Sequence, residues 1–206
     1  MIIIDILSPV GGNKGGIENV IKQWTENLPL MGFEVRVIHM SPGIKYLNGY
    51  DKAYAFNDDG NNDIDQKLKL FVRNYAGFIL KYGIPDICIA INWPVMSVVA
   101  DTVRKVLKAN FKVISWVHSS IIEYKHAGLG GVDEMLCADA HLCISRNNEK
   151  NLLNRTKKES VYYVGNPVKI QKFVERTNGE KQLCYVGRLQ EVKRVDIILE
   201  ALYRAH

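Results

Sequence analysis

Apolar and polar positions alternate along this chain on two periods. MIIIDIL (1–7) is a nearly unbroken apolar run and predicts a buried strand. In IENVIKQWTENLPLM (17–31), Ile17, Val20, Ile21, Trp24 and Leu28 recur at helical spacing, and Gly32 stands where a helix would be capped. FEVRVIHM (33–40) alternates as a strand does. Residues 41–63, rich in Gly, Asn and Asp, read as a loop. The pattern then predicts a helix over 63–83, a strand over 86–92 and a helix over 94–110 with Pro94 in its first turn. It continues with a strand over 111–118, a short helix over 131–139, a strand over 140–145, a helix over SRNNEKNLLNRT and a strand over 161–168. Past Pro167, KIQKFVERTNGEK is polar and linker-like. LCYVGRL (183–189) then predicts a strand, and KRVDIILEALYRAH (193–206) a helix with Val195, Ile198, Leu199 and Leu202 in register.

Strands and helices in this alternation predict an α/β fold, a Rossmann-like parallel sheet with helices on both faces. The expected boundary follows Pro167: a domain over 1–167, then a linker and the first strand and helix of a second Rossmann-like domain over 168–206. One strand and one helix cannot bury a core alone, so this second part reads as the opening of a domain whose remainder is absent. In open parallel sheets, ligands bind at the carboxyl ends of strands. Three segments occupy such places: GGNKGGIE (11–18), NWP after the strand at 86–92, and VHSS after the strand at 111–118.

Composition narrows the class. Of the 206 residues, 47% are hydrophobic and 24% charged, as expected of a globular chain with a real core. The net charge of +5 suits anionic partners without requiring them. Basic residues are dispersed, and no nucleic-acid-binding motif occurs, so no nucleic-acid partner is expected. Cys88, Cys137, Cys143 and Cys184 form no C-x-x-C and have apolar neighbours; they read as buried thiols in a reducing compartment. The amino terminus lacks the basic and long apolar regions of a signal peptide, and no apolar run reaches the length of a membrane span. The expected location is the cytoplasm, with peripheral contact at the inner membrane face as an option. For that contact the candidate is DTVRKVLKANFK (101–112), through Arg104, Lys105, Lys108 and Lys112, although a solvated helix face explains the same charges.

GGNKGGIE has four glycines in six residues between a strand and a helix. It is not a Walker A loop, because Ile17 and Glu18 follow Gly16 where Lys and Ser/Thr are needed. It is not a dinucleotide fingerprint either: Asn13 takes the middle glycine position, and Ile38-His39-Met40 ends the second strand without a carboxylate for a ribose. Gly15 and Gly16 lie where the loop enters the helix, so a diphosphate or sugar could approach the unpaired N–H groups there. A tight turn with no ligand explains these glycines equally well.

YVGRLQEVKRVD (185–196) places Arg188 at the end of the second-domain strand and Lys193 at the start of its helix, two cations suited to a diphosphate. G-R-L-x-x-x-K-x-V-D resembles the signature of the retaining glycosyltransferases of family 4, which have the GT-B architecture. GG-I-E after the first strand matches their amino-terminal loop, and PDICIAIN, VHSS, CADAHLCIS and NPV are similar to that family at the expected intervals. SWVHSS, CADAHLCIS and VYYVGNPV look most like the lipopolysaccharide-core 1,6-galactosyltransferases.

The resemblance implies transfer of a hexose, such as galactose or glucose, from a nucleoside diphosphate sugar, a UDP-sugar, with retention of configuration. The acceptor would be a glycan or a lipid-linked saccharide in lipopolysaccharide or polysaccharide synthesis. Arg188 and Lys193 would hold the donor diphosphate, and Gly15 and Gly16 would offer backbone N–H groups to the donor. His118 would lie near the donor sugar, hydrogen-bonding a hydroxyl or stabilising developing charge. No cofactor or metal is implied, since the two cations and the helix dipoles serve the leaving group. The D-x-D within DDGNNDID lies in a polar loop and is not read as a metal site. Glu18 is expected to cap or orient the glycine loop, while His126 in a loop and His141 in a strand carry no functional expectation. The family's Glu-x7-Glu motif does not occur before the chain ends, so the 206 residues alone are expected to transfer little. Two further readings stay open: a non-catalytic acceptor-binding or interaction module, and a sugar-nucleotide epimerase of the same architecture, which G-R-L-x-x-x-K disfavours.

Overall fold

The computed structural model describes residues 1–9, 15–57, 60, 63–170, 172, 183–187, 189 and 191–205. The chain divides into two units, Met1–Lys169 and Ile170–His206. In the first, seven parallel strands form one sheet: β1 (Ile2–Ser8), β2 (Phe33–His39), β3 (Ala53–Ala55), β4 (Ile87–Ile91), β5 (Lys112–Val117), β6 (Ala140–Cys143) and β7 (Val161–Tyr163). Their spatial order is β3-β2-β1-β4-β5-β6-β7.

Period-two alternation sends each strand's residues to two different cores. Ile4 and Ile6 of β1, Val35 and Val37 of β2 and Ile89 and Ile91 of β4 face helix α1 (Gly16–Asn27), which contributes Val20 and Ile21. The intervening positions Leu7, Ile38, Cys88 and Ala90 face α2 (Ile64–Tyr82) and α3 (Val95–Val106). These two helices present Phe71, Tyr75, Phe78 and Ile79, and Met96, Val99, Ala100 and Val103, at the i, i+3, i+4 spacing of an apolar stripe. Around β5–β7 a third cluster joins Val117, Cys143 and Val161 to Ile121 of α4 (Ile121–His126), Met135 of α5 (Val132–Met135) and Leu152 of α6 (Arg146–Leu153). Burying such side chains is worth about 1.5–3 kcal/mol each before entropy is counted.

Charge is also buried under β1 and β2. Asp5 and Arg36 are register partners. Arg36 Nε and Nη2 donate to the two Asp5 carboxylate oxygens at 2.6 and 3.0 Å, and its Nη1 and Nη2 donate to the Tyr82 and Gly83 carbonyls at the end of α2. Tyr75 Oη donates to Asp5 at 2.8 Å. Burial raises the Asp5 pKa, and Arg36 opposes that shift.

The structure departs from the sequence reading in four places. The loop over 41–63 contains a 3₁₀ turn at Lys45–Leu47 and the edge strand β3, held by Val37 N–H to Lys52 O and Phe56 N–H to His39 O. His126 is the last residue of α4, not a loop residue, because Ser120 starts a short helix that anchors through Ile121. The strand expected over 161–168 stops at Tyr163. Residues 183–187 belong to no sheet, since a parallel strand exists only when hydrogen-bonded to a neighbour. In the second unit, α7 (Val195–Ala205) forms but buries none of its residues.

Candidate functional site

Strand order reverses between β1 and β4. β1 leads into α1 on one face of the sheet, and β4 into α3 on the other. The crevice outside the carboxyl ends at such a switch point is where open α/β sheets bind ligands.

The first wall is the start of α1. Gly15 is the N-cap, with ordinary extended backbone (φ −139°) and no side chain to satisfy the first N–H groups. A Cβ added at Gly16 would meet nothing within 4 Å, and Gly16 is not in the left-handed region. Neither backbone conformation nor described neighbours demand glycine at position 16, which lies at the helix's positive end. Gly15, Glu18, Asn19, Lys22 and Tyr46 line a cleft of about 300 Å³ there. Tyr46 is fixed by a 2.7 Å hydrogen bond with His39 Nε2 at the end of β2. Burial, then the Glu18 charge, push the Tyr46 pKa up. Glu18 therefore forms part of the cleft wall. It makes no hydrogen bond among the described residues, and Gly11–Lys14, the loop it is expected to orient, lie outside them.

His118 follows β5 directly. Its ring lies 4.6 Å from that of Trp116, which stacks at 4.4 Å on Trp24 of α1. Trp116 is 1% exposed. Among the described residues neither Trp116 Nε1 nor His118 Nε2 has a hydrogen-bond partner. Desolvation lowers the His118 pKa to about 4, so the imidazole is neutral at pH 7. It can donate or accept a hydrogen bond, but it is not a standing cation.

Asn92, flagged in the sequence only as part of Asn-Trp-Pro and given no role there, directly follows β4 at φ +78°. Its N–H donates to Trp116 O at 3.0 Å, and its side-chain oxygen accepts from Tyr124 Oη of α4. Asn is the non-glycine residue best suited to the left-handed region. The signal was present in Asn-Trp-Pro after a strand, but Tyr124 was hidden because α4 went unrecognised.

Arg188 and Gly11–Lys14 lie outside the described residues. Lys193 is exposed in a 3₁₀ turn at Glu191–Lys193, just ahead of α7 in the second unit. Asp58 and Asp59 also lie outside the described residues, whereas Asp63 caps α2 by accepting from Asp65 N–H. No cluster of three or more His, Cys, Asp or Glu placed to hold a metal occurs among the described residues. His141 is fully buried and hydrogen-bonded to Ser115 Oγ at 2.7 Å. All four cysteines are free thiols, but only Cys88 and Cys143 are buried; Cys184 is exposed in the second unit, which has little core to bury it.

The basic stretch at 101–112 is largely neutralised. Arg104 bridges Asp101 and Asp139, Lys105 pairs with Asp101, and Lys112 approaches Asp139. Three of its four cations are thus partnered, which weakens the case for docking on an anionic surface. No helix of the described residues is long and apolar enough to cross a membrane.

Comparison with known proteins places this geometry. Over 127 residues the chain is 33% identical to the lipopolysaccharide 1,6-galactosyltransferase of Escherichia coli strain K12, covering 59% of this chain and 34% of that protein. The structure aligns with the apo form of a lipopolysaccharide outer core galactosyltransferase at TM-score 0.66 and 23% identity, over 83% of this chain and 47% of that one. It aligns with the UDP-GlcNAc 2-epimerase of Methanocaldococcus jannaschii at TM-score 0.59 and 17% identity, over 81% and 46% of the two chains. A glycosyltransferase from Rickettsia africae ESF-5 aligns at TM-score 0.58 and 16% identity, over 80% and 42%. At these structural identities the likeness is one of fold: the Rossmann-like α/β architecture found in GT-B glycosyltransferases. No protein-family model matches the chain. The sequence match spans about a third of the curated relative, and the structural matches just under half of the solved chains.

Proposed function

We propose that this chain is part of a retaining glycosyltransferase that moves a hexose from a UDP-sugar to a saccharide acceptor in lipopolysaccharide or cell-surface polysaccharide synthesis. The observation that carries the reading is its 33% identity to a lipopolysaccharide 1,6-galactosyltransferase. The amino end of α1 at the sheet's switch point gives that identity a chemical setting. In this reading the Gly15 and Gly16 backbone N–H groups face the donor, and Arg188 and Lys193 neutralise its diphosphate. His118, neutral, hydrogen-bonds a hydroxyl of the transferred sugar. An electrostatic role in the ground state would need an imidazolium, which its surroundings disfavour. Positioned N–H groups and fixed cations are the kind of preorganised donors that stabilise a departing diphosphate.

The test is a titration of UDP-galactose, UDP-glucose and UDP into the 206-residue protein, followed by amide NMR. Gly16→Ala is the companion variant. Wild-type protein should show shifts at Gly16, Ile17 and His118. Gly16→Ala should keep its melting temperature, because its Cβ meets no described atom, while losing at least tenfold in affinity. Equal affinity of wild type and variant would remove the α1 terminus from the donor site. No response to any nucleotide or sugar nucleotide would favour the interaction-module reading.

A further inference from the structure

A second groove lies away from the α1 terminus, between the edge strand β3 and the carboxyl-terminal half of α2. Its volume is about 550 Å³. One wall is aromatic. Tyr54 of β3 packs its ring 5.3 Å from that of Tyr82 and 4.7 Å from that of Phe78. Tyr82 remains 44% exposed. The other wall carries Arg73, Asn74 and Lys81 of α2. The Lys81 ammonium stands 4.9 Å from the centre of the Tyr82 ring. Among the described residues no carboxylate lines the groove, and neither Arg73 nor Lys81 forms an ion pair.

Gly77 also lines this groove, inside the helix. Glycine in a helix interior is destabilising relative to alanine. Here no described packing requires it, because an added Cβ would meet no described atom within 4 Å and the residue is not in the left-handed region. What Gly77 provides is open space beside two cations and a partly exposed aromatic wall.

We propose that this groove binds an anionic saccharide, one bearing a phosphate or carboxylate. Two cations without an ion-pair partner among the described residues select for negative charge, although Lys81 also rests over the Tyr82 ring. The aromatic rings offer an apolar surface to the C–H face of a pyranose. No parallel pair of rings is present among the described groove residues to sandwich a planar base, since Tyr54 is tilted 43° to Tyr82 and 66° to Phe78. The saccharide half of the proposal rests on the transferase reading, and the anionic half on the groove alone. In function the groove would hold a charged part of the acceptor outside the donor site.

The experiment titrates four probes into the 206-residue protein by amide NMR: galactose 6-phosphate, galacturonate, galactose and inorganic phosphate. Both charged sugars should shift β3 and α2 resonances and bind at least tenfold tighter than galactose or phosphate; their relative affinities tell phosphate from carboxylate recognition. Arg73→Gln with Lys81→Gln should weaken the charged sugars at least tenfold. Gly77→Leu should block them, while Gly77→Ala, the folding control, should raise the melting temperature by about 2–4 °C. Charged sugars binding no better than galactose, or binding undiminished in both blocking variants, would overturn the proposal. So would concentration-dependent broadening of the same resonances that Gly77→Leu abolishes, which would assign the groove to a second copy of the chain. UDP-galactose is titrated into the same variants. Groove binding without a UDP-galactose response would remove the donor site from these residues and leave the groove standing, and the reverse result would sink the groove alone.

Discussion

Two polar clusters on one sheet are built in opposite ways. Midway along β1 and β2, Asp5 and Arg36 lie in the core with their charges answered: two contacts between them, two α2 carbonyls on the guanidinium, and the Tyr75 hydroxyl on the carboxylate. At the carboxyl edge, Trp116 Nε1 and His118 Nε2 are buried without a partner among the described residues, and Asn92 holds φ +78°. A buried polar group left unsatisfied costs about 1–3 kcal/mol. The Asp5–Arg36 cluster serves the fold, while the edge holds buried polar atoms that no described residue completes.

The sharpest way to break this contrast is to cut the answered cluster. Arg36→Ala strands the Asp5 carboxylate and should cost about 3–5 kcal/mol of unfolding free energy. Replacing the pair together, as Asp5→Leu with Arg36→Met, should recover only part of that loss, because no charge is left buried but the Tyr75 hydroxyl and the Tyr82 and Gly83 carbonyls lose their partners. Urea denaturation of both variants checks it. A loss under about 1 kcal/mol for Arg36→Ala would mean the cluster is wetter than its geometry indicates.

Lowering the pH probes both kinds of site at once. His141 is hydrogen-bonded and His118 lacks a partner at Nε2, yet burial holds the pKa of each down to about 4, from an ordinary 6.5. Between those values the unfolded chain binds protons that the folded chain refuses. Stability is therefore greatest above pH 6.5, falls as the pH drops, and levels for these groups below about 4. For the fully buried His141 the loss is on the order of 3 kcal/mol, and the partly exposed His118 contributes less. Denaturation between pH 7.5 and 4.5 should show this slope, and His141→Asn and His118→Asn should each remove a share of it. A flat wild-type profile would show that water reaches both rings.

The sequence was most legible where one period persisted. The stripe Phe71, Tyr75, Phe78 and Ile79 announced α2, and the run at 1–7 announced β1, because burial on a fixed face leaves a repeating pattern. It was least legible where an element is short and half-buried. β3 is three residues of Ala-Tyr-Ala in a polar tract, and α4 is anchored in the core by Ile121. Those omissions mattered, since β3 builds one wall of the second groove and α4 supplies Tyr124 to Asn92. At the edge, His118 could be placed from its position after a strand. The missing partners of Trp116 and His118 could not, because an absent hydrogen bond leaves no mark on spacing.

Asn92 gives the smallest of the expected effects and the finest separation. Asn92→Ala places an ordinary side chain at φ +78° and removes the acceptor for Tyr124, so it should lose about 1–2 kcal/mol. Asn92→Gly loses the same acceptor but adopts that backbone without strain, so it should lose less than about 1 kcal/mol. Tyr124→Phe removes only the hydrogen bond. If Asn92→Gly and Tyr124→Phe cost the same, the side chain's contribution is that bond, and the excess loss in Asn92→Ala measures the left-handed backbone. If Asn92→Gly is instead more stable than wild type while binding UDP-galactose more weakly, the asparagine is kept at this edge for the ligand at the expense of the fold. Equal losses for Ala and Gly would show that φ at this position carries no strain, and the contrast between the two clusters would then rest on Trp116 and His118 alone.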